Sequence, residues 1–138
     1  MQVITYLNFK GDCEEAFKFY EQHLGGQPGA IFRYGGSPIN APPDWADKVM
    51  HGSITIGGQH LMAADVIEGD YEEPKGFSLS IHTKSAEEAE RIYHELARSG
   101  QELMPLEKTF WAERFGMVVD RFGIRWMINC GEAEEGTP

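Results

Sequence analysis

The chain has few cysteines, no long apolar run and a shortage of positive charge. Its two cysteines, Cys13 and Cys130, show no CxxC spacing. Neither a disulfide framework nor a thiolate metal knuckle is written into it, so both are expected to be reduced and packed. No stretch approaches the roughly 18 apolar residues of a membrane span, and no helix is basic enough to lie on a lipid surface. Lys and Arg number 12 against 22 Asp and Glu, a formal net charge of −10. That balance repels polyphosphate backbones, and no basic stripe offsets it, which argues against nucleic acid as a partner. Also missing are GxSxG, a Ser-His-Asp ordering, HExxH or HxxxH, and any glycine loop set between a strand and a helix. The start, Met1 to Tyr6, lacks the basic stretch and apolar run of a signal peptide, so the cytoplasm is the expected compartment.

What is present is a repeat. Glu14-Glu15-Ala16-Phe17-Lys18-Phe19-Tyr20 returns as Glu87-Glu88-Ala89-Glu90-Arg91-Ile92-Tyr93, 73 residues on. Trp45-Ala46-Asp47-Lys48 returns as Trp111-Ala112-Glu113-Arg114, and Gly58 to Met62 returns as Gly123 to Met127. At 138 residues, 41% hydrophobic and 25% charged, the whole reads as one soluble globular domain made of two similar modules.

Each module reads as βαβββ. In the first, the apolar run Val3 to Phe9 precedes Asp12-x-x-Glu15, a capping-box spacing, and a helix with Cys13, Ala16, Phe17, Tyr20 and Leu24 on one face. The pair Gly25-Gly26 ends it. Strands follow at about 27–34, 49–56 and 60–66, and the Pro/Gly-rich 35–43 reads as a surface loop. In the second module a strand over 76–82 leads to a Ser85-x-x-Glu88 cap. The helix carries Ala89, Ile92, Tyr93, Leu96 and Ala97, and strands follow at about 101–110, 115–119 and 124–130. The expected layout is repeats 2–67 and 76–130 within a single domain 1–130, a hinge 68–75 and a disordered tail 131–138.

The sequence resembles the glyoxalase/bleomycin-resistance/dioxygenase (vicinal oxygen chelate) superfamily, and within it the PhnB-like branch. Carrying the likeness are Tyr6-Leu7-Asn8-Phe9, Gly11 to Ala16, Phe19-Tyr20, Leu24-Gly25-Gly26, Met62-Ala63-Ala64-Asp65, Trp111 to Gly116 and Asp120 to Trp126. It covers about residues 2–130. The resemblance implies an α+β fold in which two βαβββ modules form a curved mixed-sheet cup, in a homodimer that takes a small molecule. It also brings the name of a methyltransferase of ubiquinone precursors, for which no methyl-donor motif is present.

The metal-dependent glyoxalases that the chain resembles place one ligand on the first and one on the last strand of each module. Carried over through the helix and turn motifs, those positions fall at Thr5 and Met62, and at Ser78 (or Phe77) and Met127. Hydroxyls and thioethers are poor ligands for Zn²⁺, Ni²⁺ or Mn²⁺. The resemblance therefore implies an apolar pocket with small polar contacts, no metal at these positions and no other cofactor.

Thr5, Met62, Ser78 and Met127 are accordingly candidate ligand-binding residues. Asn129 joins them by alternation with Met127, and Trp126 is expected to pack under the helix. Trp111 is a candidate for stacking and Arg114 for gripping an anion, the alternative being a structural Arg114–Asp120 pair. His51, on a strand crossing the cup, is a candidate polar or acid/base contact. Tyr6, Asn8, Ser80 and Asp65 are further polar possibilities. The leading expectation is small-molecule binding without a metal. One alternative is a lyase, isomerase or dioxygenase holding a divalent metal through His51, His60 or His82. The other is a structural dimer with its cup closed.

Overall fold

In both modules one helix covers one face of a mixed four-stranded sheet, and the residues that make it do so are the apolar members of each alternation. The computed structural model describes residues 1–132. It divides into two units, Met1–Glu72 and a second beginning at Glu73. The expected tail, 131–138, lies outside the described residues except for Gly131 and Glu132, which extend the last strand.

The first unit runs β1 (Thr5–Phe9), α1 (Cys13–Leu24), β2 (Gln27–Arg33), β3 (Val49–Ile56) and β4 (Gln59–Asp65). Its sheet order is β1-β4-β3-β2, with β1 parallel to β4 and the other pairs antiparallel. Leu7 and Phe9 alternate inward from β1 and meet Cys13, Ala16, Phe17 and Tyr20 of α1, all buried. Each large side chain so buried contributes about 1.5–3 kcal/mol. Gly25 closes α1 in the left-handed region, at φ 69°. Strand β1 starts at Thr5 rather than Val3 because Thr5 already pairs with Leu61, near the start of β4 after its turn. The 35–43 loop leads into one turn of 3-10 helix at Pro43–Trp45.

The second unit runs β5 (Leu79–Thr83), α2 (Ala86–Ala97), β6 (Gln101–Glu107), β7 (Ala112–Val119) and β8 (Arg125–Glu132), in the order β5-β8-β7-β6. Again the first strand is parallel to the last and the rest are antiparallel. Ala89, Ile92, Tyr93 and Leu96 bury against Val118, Trp126 and Ile128. Strand β6 ends at Glu107, short of Phe110. There Thr109 Oγ1 accepts from the N–H groups of Trp111 and Ala112 and turns the chain. Helix α2 lies so near the sheet that a Cβ on Gly116 would come within 2.9 Å of both Leu106 Cα and Tyr93 Cε2.

The two helices begin differently. In α2 the expected cap forms, with Ser85 Oγ accepting from the Glu88 N–H at 3.1 Å. In α1 the Asp12 side chain makes no cap hydrogen bond. Asp65, reaching over from β4, replaces it: Oδ1 accepts from Gly11 N (3.0 Å) and Cys13 N (2.9 Å), and Oδ2 from Val49 N (2.8 Å). The second unit buries a different carboxylate, Asp120. Its Oδ1 accepts from Phe122 N and Ile124 N, and its Oδ2 from Trp126 Nε1 at 2.9 Å.

Candidate functional site

With one face of each sheet under its helix, the candidate residues are sorted by which of them take the opposite face. In the first unit Leu7 and Phe9 point to α1, so Tyr6 and Asn8 take the other face. The pairing places Tyr6 beside Met62 and Met62 beside Ser53. One row along stand Asn8, Ala64, His51 and Phe32, the last two paired across β3 and β2. The Tyr6 hydroxyl and His51 Nδ1 are hydrogen-bonded at 3.0 Å. The Phe32 ring stacks on His51 at 6.3 Å between centroids, with 29° between planes. Burial, with smaller contributions from Cys13 and Tyr34, raises the pKa of Tyr6 above that of an ordinary phenol, so it keeps its proton at neutral pH.

In the second unit the corresponding row is Ser80, Met127, Met117 and Met104, in register from β5 to β6. Next to it run His82, Asn129, Phe115 and Glu107. Trp111 leans edge-on against Phe115, centroids 5.3 Å apart, and Ser80 Oγ is 3.1 Å from His82 Nε2. Three thioethers side by side make a soft, adaptable apolar strip.

This register sorts the sequence candidates. Met62, His51, Met127 and Asn129 lie on the helix-free faces, and Trp111 stands beside one of them. Thr5 does not: it shares the side of Leu7 and Phe9. Ser78 precedes β5 and has no strand partner. The hydroxyl groups beside the two methionines are those of Tyr6 and Ser80. The cause is a single residue. The helices repeat at 73 residues (Tyr20 to Tyr93), but the first strands repeat at 74 (Tyr6 to Ser80), so carrying the helix offset into the strand turns it over.

Arg114 also falls on the helix side. Its Nε donates to Glu90 of α2 at 3.1 Å and its Nη1 to the Glu113 carbonyl, so it neither grips the helix-free face nor pairs with Asp120. Trp126 packs on the helix side, buried and held by Asp120. The members that sequence reasoning left out, Phe32, Met104, Met117 and Phe115, all lie on β2, β6 and β7. Irregular register in β2 and β6 hides the alternation of Phe32 and Met104.

In neither unit does the donor set suit a divalent metal. Tyr6 and Met62 offer a phenol and a thioether in the first, Ser80 and Met127 an alcohol and a thioether in the second. Among the described residues no three of His, Cys, Asp and Glu cluster as ligands. His51, His60 and His82 each bond a neighbouring hydroxyl, of Tyr6, Thr55 and Ser80. A separate hollow of about 320 Å³ opens beside the start of α1, between Asp12, Glu15, Lys18, Asp47 and Lys48. Burial raises the Asp12 pKa there, the neighbouring Asp65 adding to the effect. Its charged walls offer little grip to an apolar molecule.

The comparisons with known proteins bear on the family and the fold. Over residues 1–129 the chain matches the family model described as 3-demethylubiquinone-9 3-methyltransferase. It is 32% identical to Protein YjdN of Escherichia coli K12 over 141 residues, 94% of this chain and 95% of that protein. Protein PA1353 from Pseudomonas aeruginosa is 48% identical with a TM-score of 0.85, over 95% of this chain and 98% of that one. A Bacillus cereus structure, described as a putative 3-demethylubiquinone-9 3-methyltransferase, PhnB protein, is 27% identical with a TM-score of 0.83, over 95% and 100%. A glyoxylase/bleomycin resistance protein/dioxygenase domain from Frankia sp. EAN1pec shares the fold alone, at 13% identity and a TM-score of 0.67 over 96% and 98%. The chain belongs to the PhnB/YjdN-like family described as 3-demethylubiquinone-9 3-methyltransferase.

Proposed function

We propose that this protein binds small organic molecules against the helix-free face of a sheet, with no metal at the positions where related glyoxalases hold one. The observation that carries this reading is the repeated pair of hydroxyl and thioether, Tyr6 with Met62 and Ser80 with Met127. A thioether gains by leaving water beside an apolar ligand, and a hydroxyl orients it. The residues assigned to ligand contact are Tyr6, His51 and Met62 on the first sheet, and Ser80, Met117, Met127 and Asn129 on the second, with Trp111 at its margin. Thr5, Ser78 and Arg114 are not among them.

The activity in the family's description is not carried over. The link between β1 and α1 is only Lys10-Gly11-Asp12, and no strand-to-helix glycine loop suggests a methyl-donor site.

Two measurements test the reading. Calorimetry with a panel of aromatic and aliphatic small molecules should find binders that Met127→Glu weakens by at least about tenfold, since a buried carboxylate without a partner costs several kcal/mol. The variant should keep the far-ultraviolet spectrum of the wild type. Unchanged affinity for every binder would overturn the assignment. Elemental analysis of protein purified without a metal-affinity tag should find no stoichiometric divalent ion. A bound ion lost on substituting His51, His60 or His82 would instead establish the metal-enzyme alternative.

A further inference from the structure

We infer that Tyr6 locks His51 as an Nε2–H donor, so that the first sheet selects a planar ligand carrying an oxygen acceptor, a carbonyl or carboxylate. This deepens the binding reading above and rests on it. The two groups come from strands that are not neighbours: β4 runs between β1 and β3. In the row of His51, β4 supplies Ala64, small enough for the Tyr6 side chain to reach across. The resulting contact, phenol oxygen to Nδ1 at 3.0 Å, admits two proton arrangements. A phenolic hydroxyl is a better donor than an imidazole N–H, and an imidazole lone pair a better acceptor than a phenolic oxygen. The favoured arrangement has Tyr6 donating to Nδ1, which leaves the imidazole proton on Nε2.

Among the described residues, Nε2 of His51 has no protein partner, and the side chain is only half-buried. Tyr6 and His51 are tilted 33° apart, and Phe32 stacks on His51 with 29° between planes. Three rings from β1, β3 and β2 thus gather into an aromatic patch with one fixed N–H at its centre. A flat ring packs against such a patch, and only an acceptor on that ring answers the N–H. A ligand without the acceptor leaves the donor desolvated and unpaired.

The test uses the full chain with 15N-labelled histidine at a pH where imidazole is neutral. The His51 signals should show a pyridine-type Nδ1 and a pyrrole-type Nε2, and Tyr6→Phe should blur that distinction. A pyrrole-type Nδ1 in the wild type overturns the inference. Two isosteric probes then read selectivity, 2-acetylnaphthalene and 2-ethylnaphthalene. The ketone should bind about tenfold tighter, and His51→Phe, which keeps a ring but removes the donor, should bring the two within about twofold. Equal binding of both by the wild type overturns acceptor selection while leaving small-molecule binding standing. Binding of neither overturns the aromatic patch as a ring-binding surface, and the Met127→Glu panel separately decides the broader reading.

Discussion

Asp65→Ala should lower the stability of the first unit by about 3–5 kcal/mol, because it strips three backbone N–H groups of their acceptor in a buried site. Asp65 is itself almost wholly buried, and the groups it serves lie at the start of α1 and the start of β3. The Asp12 carboxylate makes no cap bond that would share the load. Asp65→Asn is the informative companion. Its remaining oxygen can still serve Gly11 and Cys13, but its amide then faces the Val49 N–H, donor against donor. That variant should lose about 1–3 kcal/mol, the cost of one unsatisfied group. Urea denaturation monitored in the far ultraviolet gives both values. A loss below about 1 kcal/mol for the alanine variant would mean that water replaces the carboxylate without difficulty.

Asp120→Ala should cost the second unit about 2–4 kcal/mol and shift the emission of Trp126 to the red. Here the acceptor serves two turn N–H groups and the indole N–H. The turn lies at the edge of the unit, with Arg121 exposed, so water reaches its backbone more readily than it reaches the Asp65 site. The share belonging to the indole is separable. Trp126→Phe in the Asp120→Ala background should cost less than in the wild type by about 1–2 kcal/mol, the coupling between the pair. Additive losses would show that the carboxylate acts on the turn alone.

The order of elements, the helix stripes and the duplication could all be read from the sequence, because each rests on periodicities of many residues. The Ser85 cap could be read too, since its donor lies three residues away. What could not be read depends on partners far along the chain. Asp12 and Ser85 have the same spacing to a glutamate, and only the second forms the cap, because in the first module Asp65 occupies that role. Which of Thr5 or Tyr6 takes the helix-free face turns on a one-residue difference in the link to the helix, where Gly11 adopts φ 119°, a conformation other residues rarely reach. The facing of Met62, Met127 and Asn129 could be read because β4 and β8 are regular. That of Met104 and Phe32 could not, because β6 and β2 shift register. The placement of Arg114 could not be read either, because sequence shows a charge but not the glutamate on α2 that holds it.

The contrast between the two helix starts bears on the order in which the modules assemble. The donor at the start of α2 finds its acceptor within one turn of chain, so that end can form before any sheet exists. The Cys13 N–H of α1 waits for an acceptor 52 residues downstream. Closing such a loop carries an entropy cost that the local cap avoids, and topologies of this kind fold more slowly. Two modules of one architecture are thus expected to differ in kinetics: the start of the second helix is capped from within one turn of chain, whereas that of the first is capped only when its last strand arrives.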